Sequence, residues 1–260
     1  MKQGIDMNCL VGTWPFRKLS KGTAADLAAA HRENGIIGGY VASLNSIFYN
    51  DPFEAEEELH AALQGTPYHQ VMGINPLLPG YEKDIKRGVE EFGIRGVRIY
   101  PGYHEYTLDS DVVDRLFCVL EEYDLPLFVS ARMEDERLNY LFLPRPIGTE
   151  EIQKFLKRAS KKTSIILLSL KTDEILACKE EILSHGNTCA DISWLRSPFS
   201  CVSNVVQGIG KENMVLGTMY PLLTMKSTCL MLEQSSLPEQ DKSDIYGANA
   251  VKFMERSSAG

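Results

Sequence analysis

Short apolar runs rich in Val, Ile and Leu recur along the chain at fairly even intervals, and each is followed by a stretch whose apolar positions repeat with helical spacing. A change of hydrophobic period from a buried strand to a one-sided helix, repeated along a chain, is the pattern of βα units. Eight runs are counted, at 5–11, 37–42, 70–74, 96–100, 127–129, 164–168, 188–192 and 214–217. Capping residues mark the helices between them. A helix from Thr23 to Asn34 stops before Gly35, and Asp51-Pro52 opens an acidic helix to Leu63. Asp109 precedes a helix to Tyr123, Thr149 with Glu150 opens one to Arg158, and Thr172 opens one to Leu183. The strands are apolar on both faces, which suits a closed parallel barrel wrapped by helices better than an open sheet. The expectation is an α/β fold, one (β/α)8 barrel over residues 1–256, with 257–260 a disordered tail. The sequence contains neither an internal repeat nor a low-complexity segment.

Composition narrows the partners. The 260 residues are 44% hydrophobic and 24% charged, enough apolar material for a large core, and the formal charge is -8. Nucleic acid and anionic membranes are not expected partners, because both select clustered Lys and Arg. The one basic run, Lys157, Arg158, Lys161 and Lys162, ends a predicted helix, where it complements the helix dipole. The N-terminus has no long apolar run, so a cytoplasmic location is expected. Cys9, Cys118, Cys178, Cys189, Cys201 and Cys229 are scattered without Cys-x-x-Cys pairs and read as mostly buried thiols.

In a (β/α)8 barrel the chemistry sits at the C-terminal ends of the strands. The first such segment reads Ile5-Asp6-Met7-Asn8-Cys9-Leu10-Val11-Gly12. It resembles the Ile-Asp-x-His-x-His-x-Gly opening of the amidohydrolase-related family of metal-dependent TIM-barrel hydrolases and decarboxylases, with both histidines replaced. Further segments follow in the family's order: Gly96-Val97-Arg98-Ile99-Tyr100-Pro101, Leu125 to Ser130, Ser164 to Ser169, Val215 to Pro221 and Tyr246-Gly247-Ala248-Asn249-Ala250.

The resemblance implies that the two histidines of the first strand fall on Asn8 and Leu10, that of the fifth strand on Ser130, and that after the sixth on Ser169. The aspartate after the eighth strand falls on Met219. None of these five side chains is an imidazole, carboxylate or thiolate, so no metal and no cofactor is expected at a conventional site. A site rebuilt from Cys9 and His104 is the alternative, although strand alternation turns Cys9 away from the barrel if Asn8 and Leu10 face into it. His31, His60, His69 and His185 read as surface or packing residues.

Polar and aromatic side chains nevertheless gather in the segments after the strands. Asn8, Trp14, Arg17, Arg98, Ser130, Arg132, Ser169 and Tyr220 are the candidate ligand-binding residues. Three arginines at one mouth would attract a carboxylate or phosphate; Arg17 and Arg132 have the competing reading of pairing with Asp51, Glu134 or Asp135. His104 is the candidate acid or base, with Tyr100 or Asp191 assisting. Two expectations follow for function. One is an amidohydrolase-like barrel binding a small, anionic organic ligand without metal-dependent hydrolysis. The other is a hydrolase or decarboxylase of a small carboxylated or cyclic substrate, with a rebuilt or metal-free site. A homo-oligomer is a further partner class, since barrels of this family often associate.

Overall fold

The computed structural model describes residues 3–135, 137–138, 142–196 and 200–257. Strands and helices alternate in the order β1 (Gly4–Val11), α1 (Ala24–Glu33), β2 (Ile36–Ser43), α2 (Pro52–Leu63), β3 (Tyr68–Gln70), β4 (Met72–Ile74), α3 (Tyr81–Arg87), β5 (Val97–Ile99), α4 (Asp111–Glu122), β6 (Leu127–Ser130), α5 (Thr149–Arg158) and β7 (Ile165–Leu168). They continue with α6 (Thr172–Ala177), α7 (Lys179–His185), β8 (Thr188–Asp191), α8 (Cys201–Ile209), β9 (Met214–Val215), α9 (Met225–Glu233), α10 (Glu239–Ser243) and α11 (Asn249–Ser257). β3 and β4 are halves of one stave; Val71 between them donates to Val41 O at 2.8 Å, so β2 pairs across the break. All neighbouring strands run parallel, in the orders β1-β2-β3 and β4-β5-β6-β7-β8-β9. The ends meet where Met7 N donates to Leu216 O and Leu10 N to Tyr220 O, each at 2.8 Å. Eight staves therefore close into an α/β (β/α)8 TIM barrel, as the run count predicts.

Two apolar layers follow from strand alternation. Cys9, Val41, Val97, Ile99, Ile165 and Leu167 point outward and pack with helix residues such as Leu27, Leu59, Leu116 and Phe155. Met7, Leu10, Ala42, Val71, Phe128, Ile166 and Cys189 fill the interior. The expected caps form: Thr23 and Asp26 make a reciprocal capping box, and Asp51 accepts from Phe53 N at 3.0 Å. The helix expected from 172 to 183 is instead two, α6 and α7. Cys178, with ψ of 8°, donates to Glu174 O and Ile175 O, which closes the first helix in a tightened turn. Ser257, expected in the tail, is buried at the end of α11 and donates to Phe253 O at 3.1 Å; 258–260 lie outside the described residues. The basic run is spent on ion pairs, Lys157 with Glu181, Arg158 with Asp114 and Lys162 with Glu121. Of the six free cysteines, Cys118 is exposed and the others are buried. No described helix is long and apolar enough to cross a membrane.

The seam of the barrel is organised by one carboxylate. Asp6 on β1 is fully buried and accepts hydrogen bonds from Asn8 N (3.0 Å), Thr218 N (3.0 Å) and the Thr218 hydroxyl, and its Oδ2 lies 3.2 Å from His31 Nε2. The other ring nitrogen of His31 meets the Tyr68 hydroxyl at 3.0 Å. His31, expected as a surface or packing residue, is thus a buried link between α1, β1 and β3. The β1–β2 register shifts between Asp6 and Cys9. Met7 and Asn8 consequently both face inward while Cys9 returns to the outer layer, the effect of a bulge. Asp6→Ala strands two backbone N–H groups, a hydroxyl and an imidazole without water. Urea unfolding of this variant should show a loss of about 3–5 kcal/mol, and a loss below 1 kcal/mol would show the seam to be held elsewhere.

Candidate functional site

The inward bulge at β1 brings Asn8 to the strand-end mouth, where it meets residues from three other staves. Asn8 Nδ2 donates to Asp191 Oδ2 at 2.7 Å and lies 3.3 Å from Ser169 Oγ and 3.4 Å from Ser193 Oγ. Ser169 N donates to Asp191 Oδ1 at 2.7 Å, and Ser169 Oγ lies 3.3 Å from Met219 Sδ. Burial raises the Asp191 carboxyl above its ordinary range; the Asn8 and Ser169 hydrogen bonds and the charge of Arg98 act in the opposite direction. The packing tolerates no side chain at Gly217, where a Cβ would stand 2.3 Å from Asp191 Oδ2 and 2.8 Å from Asn8 Cβ. Ser169 and Met219 hold left-handed φ angles of 61° and 55°. Such angles are uncommon outside glycine and are found where surrounding structure enforces them.

Arg98 occupies the opposite side of this polar layer. Its neighbours on β5, Val97 and Ile99, face the helices, so Arg98 faces the barrel interior, 1% exposed. Nε donates to Ser130 Oγ at 2.8 Å, Nη2 lies 3.7 Å from Met133 Sδ, and the guanidinium carbon sits 5.3 Å from the centre of the Tyr100 ring. Among the described residues no Asp or Glu makes an ion pair with it. Buried cations are ordinarily paired with anions, and Arg98 has a hydroxyl, a thioether and an aromatic face instead.

The other two arginines are committed to carboxylates. Arg132 is bidentate to Glu174, at 2.6 and 2.8 Å, and also donates to Ser169 O at 2.5 Å. Arg17 bonds Glu134 at 2.8 Å and Leu222 O at 2.7 Å. Structural pairing is the reading their geometry supports. Arg132's partner Glu174 was not among the acidic residues weighed for it, because Glu174 belongs to the next βα unit. Trp14 packs edge-on against Phe16, Phe48 and Tyr103 at centroid distances of 5.4–5.8 Å, which is loop packing. Tyr220 points the other way from the mouth: its backbone closes the seam and its side chain joins the outer apolar layer.

Of the expected catalytic trio, His104 and Tyr100 meet edge-on, and Asp191 makes its polar contacts elsewhere. His104 Nε2 is held by Ile47 O at 3.2 Å and its ring lies 6.0 Å from that of Tyr100, while the polar contacts of Asp191 run to Asn8 and Ser169. Burial lowers the His104 pKa and pushes Tyr100 up to about 12. His104 Nδ1 and the Tyr100 hydroxyl are buried without a hydrogen-bond partner.

A cavity of about 370 Å³ is lined by Phe16, Tyr103 and Phe142, by Arg132, Glu134 and Asp135, and by Ser130 and Met133, the two residues that contact Arg98. The stave beside it holds a residue that the sequence reading passed over. Glu56 of α2 is fully buried and accepts from Gly73 N at 2.9 Å and Gln70 Nε2 at 2.8 Å. Its carboxylate ties α2 to the stave formed by β3 and β4. The signal was present: Glu56 falls on the stripe Phe53, Leu59, Leu63 of an otherwise solvated acidic helix.

Donor atoms suited to a metal converge elsewhere. Among the described residues the group of three or more such donors is Asp6, Cys9 and His31, within 4.8 Å of one another and buried behind β1. Every oxygen of that carboxylate already accepts hydrogen bonds. Cys9, weighed as a partner for His104, faces this outer layer.

No protein-family model and no curated protein matches the chain. Solved structures do. The 2,6-dihydroxybenzoate decarboxylase from Rhizobium superposes with a TM-score of 0.73 at 13% identity, covering 98% of this chain and 99% of that one. The 5-carboxyvanillate decarboxylase from Sphingomonas paucimobilis gives 0.70 at 13% identity, over 98% and 99%. A dihydroxybenzoic acid decarboxylase from Polaromonas, solved with manganese and the inhibitor 2-nitroresorcinol, gives 0.73 at 14% identity, over 98% and 97%. At these identities the likeness establishes a common barrel fold.

Burial raises the Glu56 pKa from 4.5 to about 7, against the hydrogen bonds from Gln70, Gly73 and Ser46. The folded state therefore holds this proton more tightly than the unfolded chain does. The associated stability is fully present below pH 4.5 and is lost as pH rises through 7. Between pH 4.5 and 8 the wild type should lose on the order of 3 kcal/mol relative to Glu56→Gln. Parallel pH dependences of the two proteins in urea unfolding would refute this.

Proposed function

We propose that this barrel is an enzyme acting on a small carboxylated substrate, anchored by Arg98 at the strand-end mouth and worked on without a metal held there. The observation that carries the reading is a fully buried guanidinium under a cavity, bonded to Ser130 and Met133 rather than to an anion. A substrate carboxylate supplies the charge that the protein leaves out, and its affinity is raised by the low dielectric around it.

Manganese, present in the Polaromonas neighbour, does not fit the residues at this mouth. Ser130 Oγ accepts from a guanidinium, Asn8 presents its amide nitrogen to Asp191, and Leu10 and Met219 offer no charged donor. A dication here would lie beside Arg98 with one carboxylate to neutralise it. The chemistry left to the chain is proton transfer. Asp191, fixed from two sides by Asn8 and Ser169, is the group we assign to carry the proton, its raised pKa bringing it toward working pH. Arg98 orients the carboxylate, and the walls of the cavity exclude water. His104 and Tyr100 are assigned no proton.

Two neighbours that share the fold at full length are named for decarboxylation of carboxylated aromatics. That favours turnover over the reading in which the mouth binds an acid and does nothing further. The separating experiment is calorimetric titration with acetate and benzoate, followed by a turnover screen of small aromatic and aliphatic acids in the presence of chelator. Arg98→Met should weaken binding on the order of 100-fold, and Asp191→Asn should abolish turnover while leaving binding within about threefold. Undiminished binding by Arg98→Met would overturn the anchor. Binding without turnover of any acid would leave the mouth as a receptor.

A further inference from the structure

We infer that Met133 is a plug seated on Arg98, and that the entering carboxylate must displace its thioether, so that this side chain sets which acids reach the anchor. The inference rests on the Arg98 reading and adds the group that regulates access to it. Met133 is 1% exposed, and its Sδ stands 3.7 Å from Arg98 Nη2. With Ser130, the other hydrogen-bond partner of Arg98, it forms part of the cavity floor. Both side chains that bond Arg98 thus line the cavity, whereas Arg98 itself does not.

They differ in how readily they yield. Ser130 is the last residue of β6 and short, fixed by the strand. Met133 lies three residues beyond the strand end, and methionine is unbranched with three rotatable bonds. A thioether sulfur is also a weak acceptor, and a carboxylate oxygen makes a far stronger bond to a guanidinium. Exchange of one for the other is therefore downhill at Arg98, and the sulfur has room in the cavity to move. In the absence of an acid the same sulfur covers the guanidinium with apolar bulk and keeps water from it. Acids without an apolar body to take the place of the Met133 methyl group should gain least from the exchange, and those that have one should gain most.

Acetate and benzoate are titrated into wild type, M133A, M133L and R98M, and the Met133 methyl resonance of 13C-methyl-methionine protein is followed in parallel. M133A should bind acetate about tenfold more tightly than wild type. M133L, which keeps the bulk and removes the acceptor, should change affinity in the same direction and guards against a folding defect in M133A. In wild type the Met133 methyl resonance should shift on acid addition, and benzoate should shift it further than acetate. If R98M loses acetate binding while M133A and M133L bind as wild type and the methyl resonance stays put, the plug is wrong and the anchor stands. If R98M binds acetate unchanged, the anchor is wrong and the plug falls with it.

Discussion

The site depends first on the Asp6 carboxylate, which lies outside the barrel and touches no ligand. It gathers the Asn8 amide, the Thr218 amide and hydroxyl, and the His31 ring at one point. Two of these contacts join the first stave to the chain leaving the last one, and the Asn8 contact holds the bulge. With Asp6 outside and Met7 inside, a strict alternation through β1 would send Asn8 to the helices and Cys9 to the interior. The bulge removes that choice, and Asn8 arrives beside Asp191 with its amide nitrogen forward. A hydrogen-bond network in the outer layer thereby decides the composition of the inner one.

Charge is distributed unevenly among the mouth's three arginines. Arg17 and Arg132 hold loops in place: one ties the loop after β1 to Glu134, the other ties the loop after β6 to α6 and to the Ser169 carbonyl. Both contacts neutralise the cation locally. Arg98, carried by a strand and buried more deeply, has no such partner, so the field it creates extends across the layer to Asp191. A positive and a negative group on opposite staves, separated by serines and an asparagine, give the mouth a direction. A substrate with its acid at one end has one way to lie in it.

The staves were legible because each is a run of outward and inward apolar residues long enough to outweigh local ambiguity, and because caps such as Thr23 and Asp51 act within three residues. The positions that converge at the mouth followed from the order of the segments. What escaped was set by distance in sequence. The pairing of Arg132 with Glu174 crosses a whole strand, and the role of Tyr220 was inverted because a seam residue shows its backbone, not its ring, to the barrel. Glu56 was hidden by its neighbours: four glutamates between 54 and 58 share one composition, and Glu56 is the one that is fully buried. Of His104, Tyr100 and Asp191 the fold joins the first two, while His104 bonds the loop after β2 and Asp191 bonds β1, a division that their places in the sequence do not reveal.

Ser169 and Met219 share a backbone feature at the rim. Both stand in left-handed conformations, and the side chains that tolerate that region best after glycine are asparagine, aspartate and histidine. Serine and methionine gain nothing from it. The main chain at these two corners is therefore held by the surrounding hydrogen bonds rather than by the preference of the side chains it carries. Asparagine, aspartate or histidine placed at either corner would enter a backbone already in the region those residues tolerate.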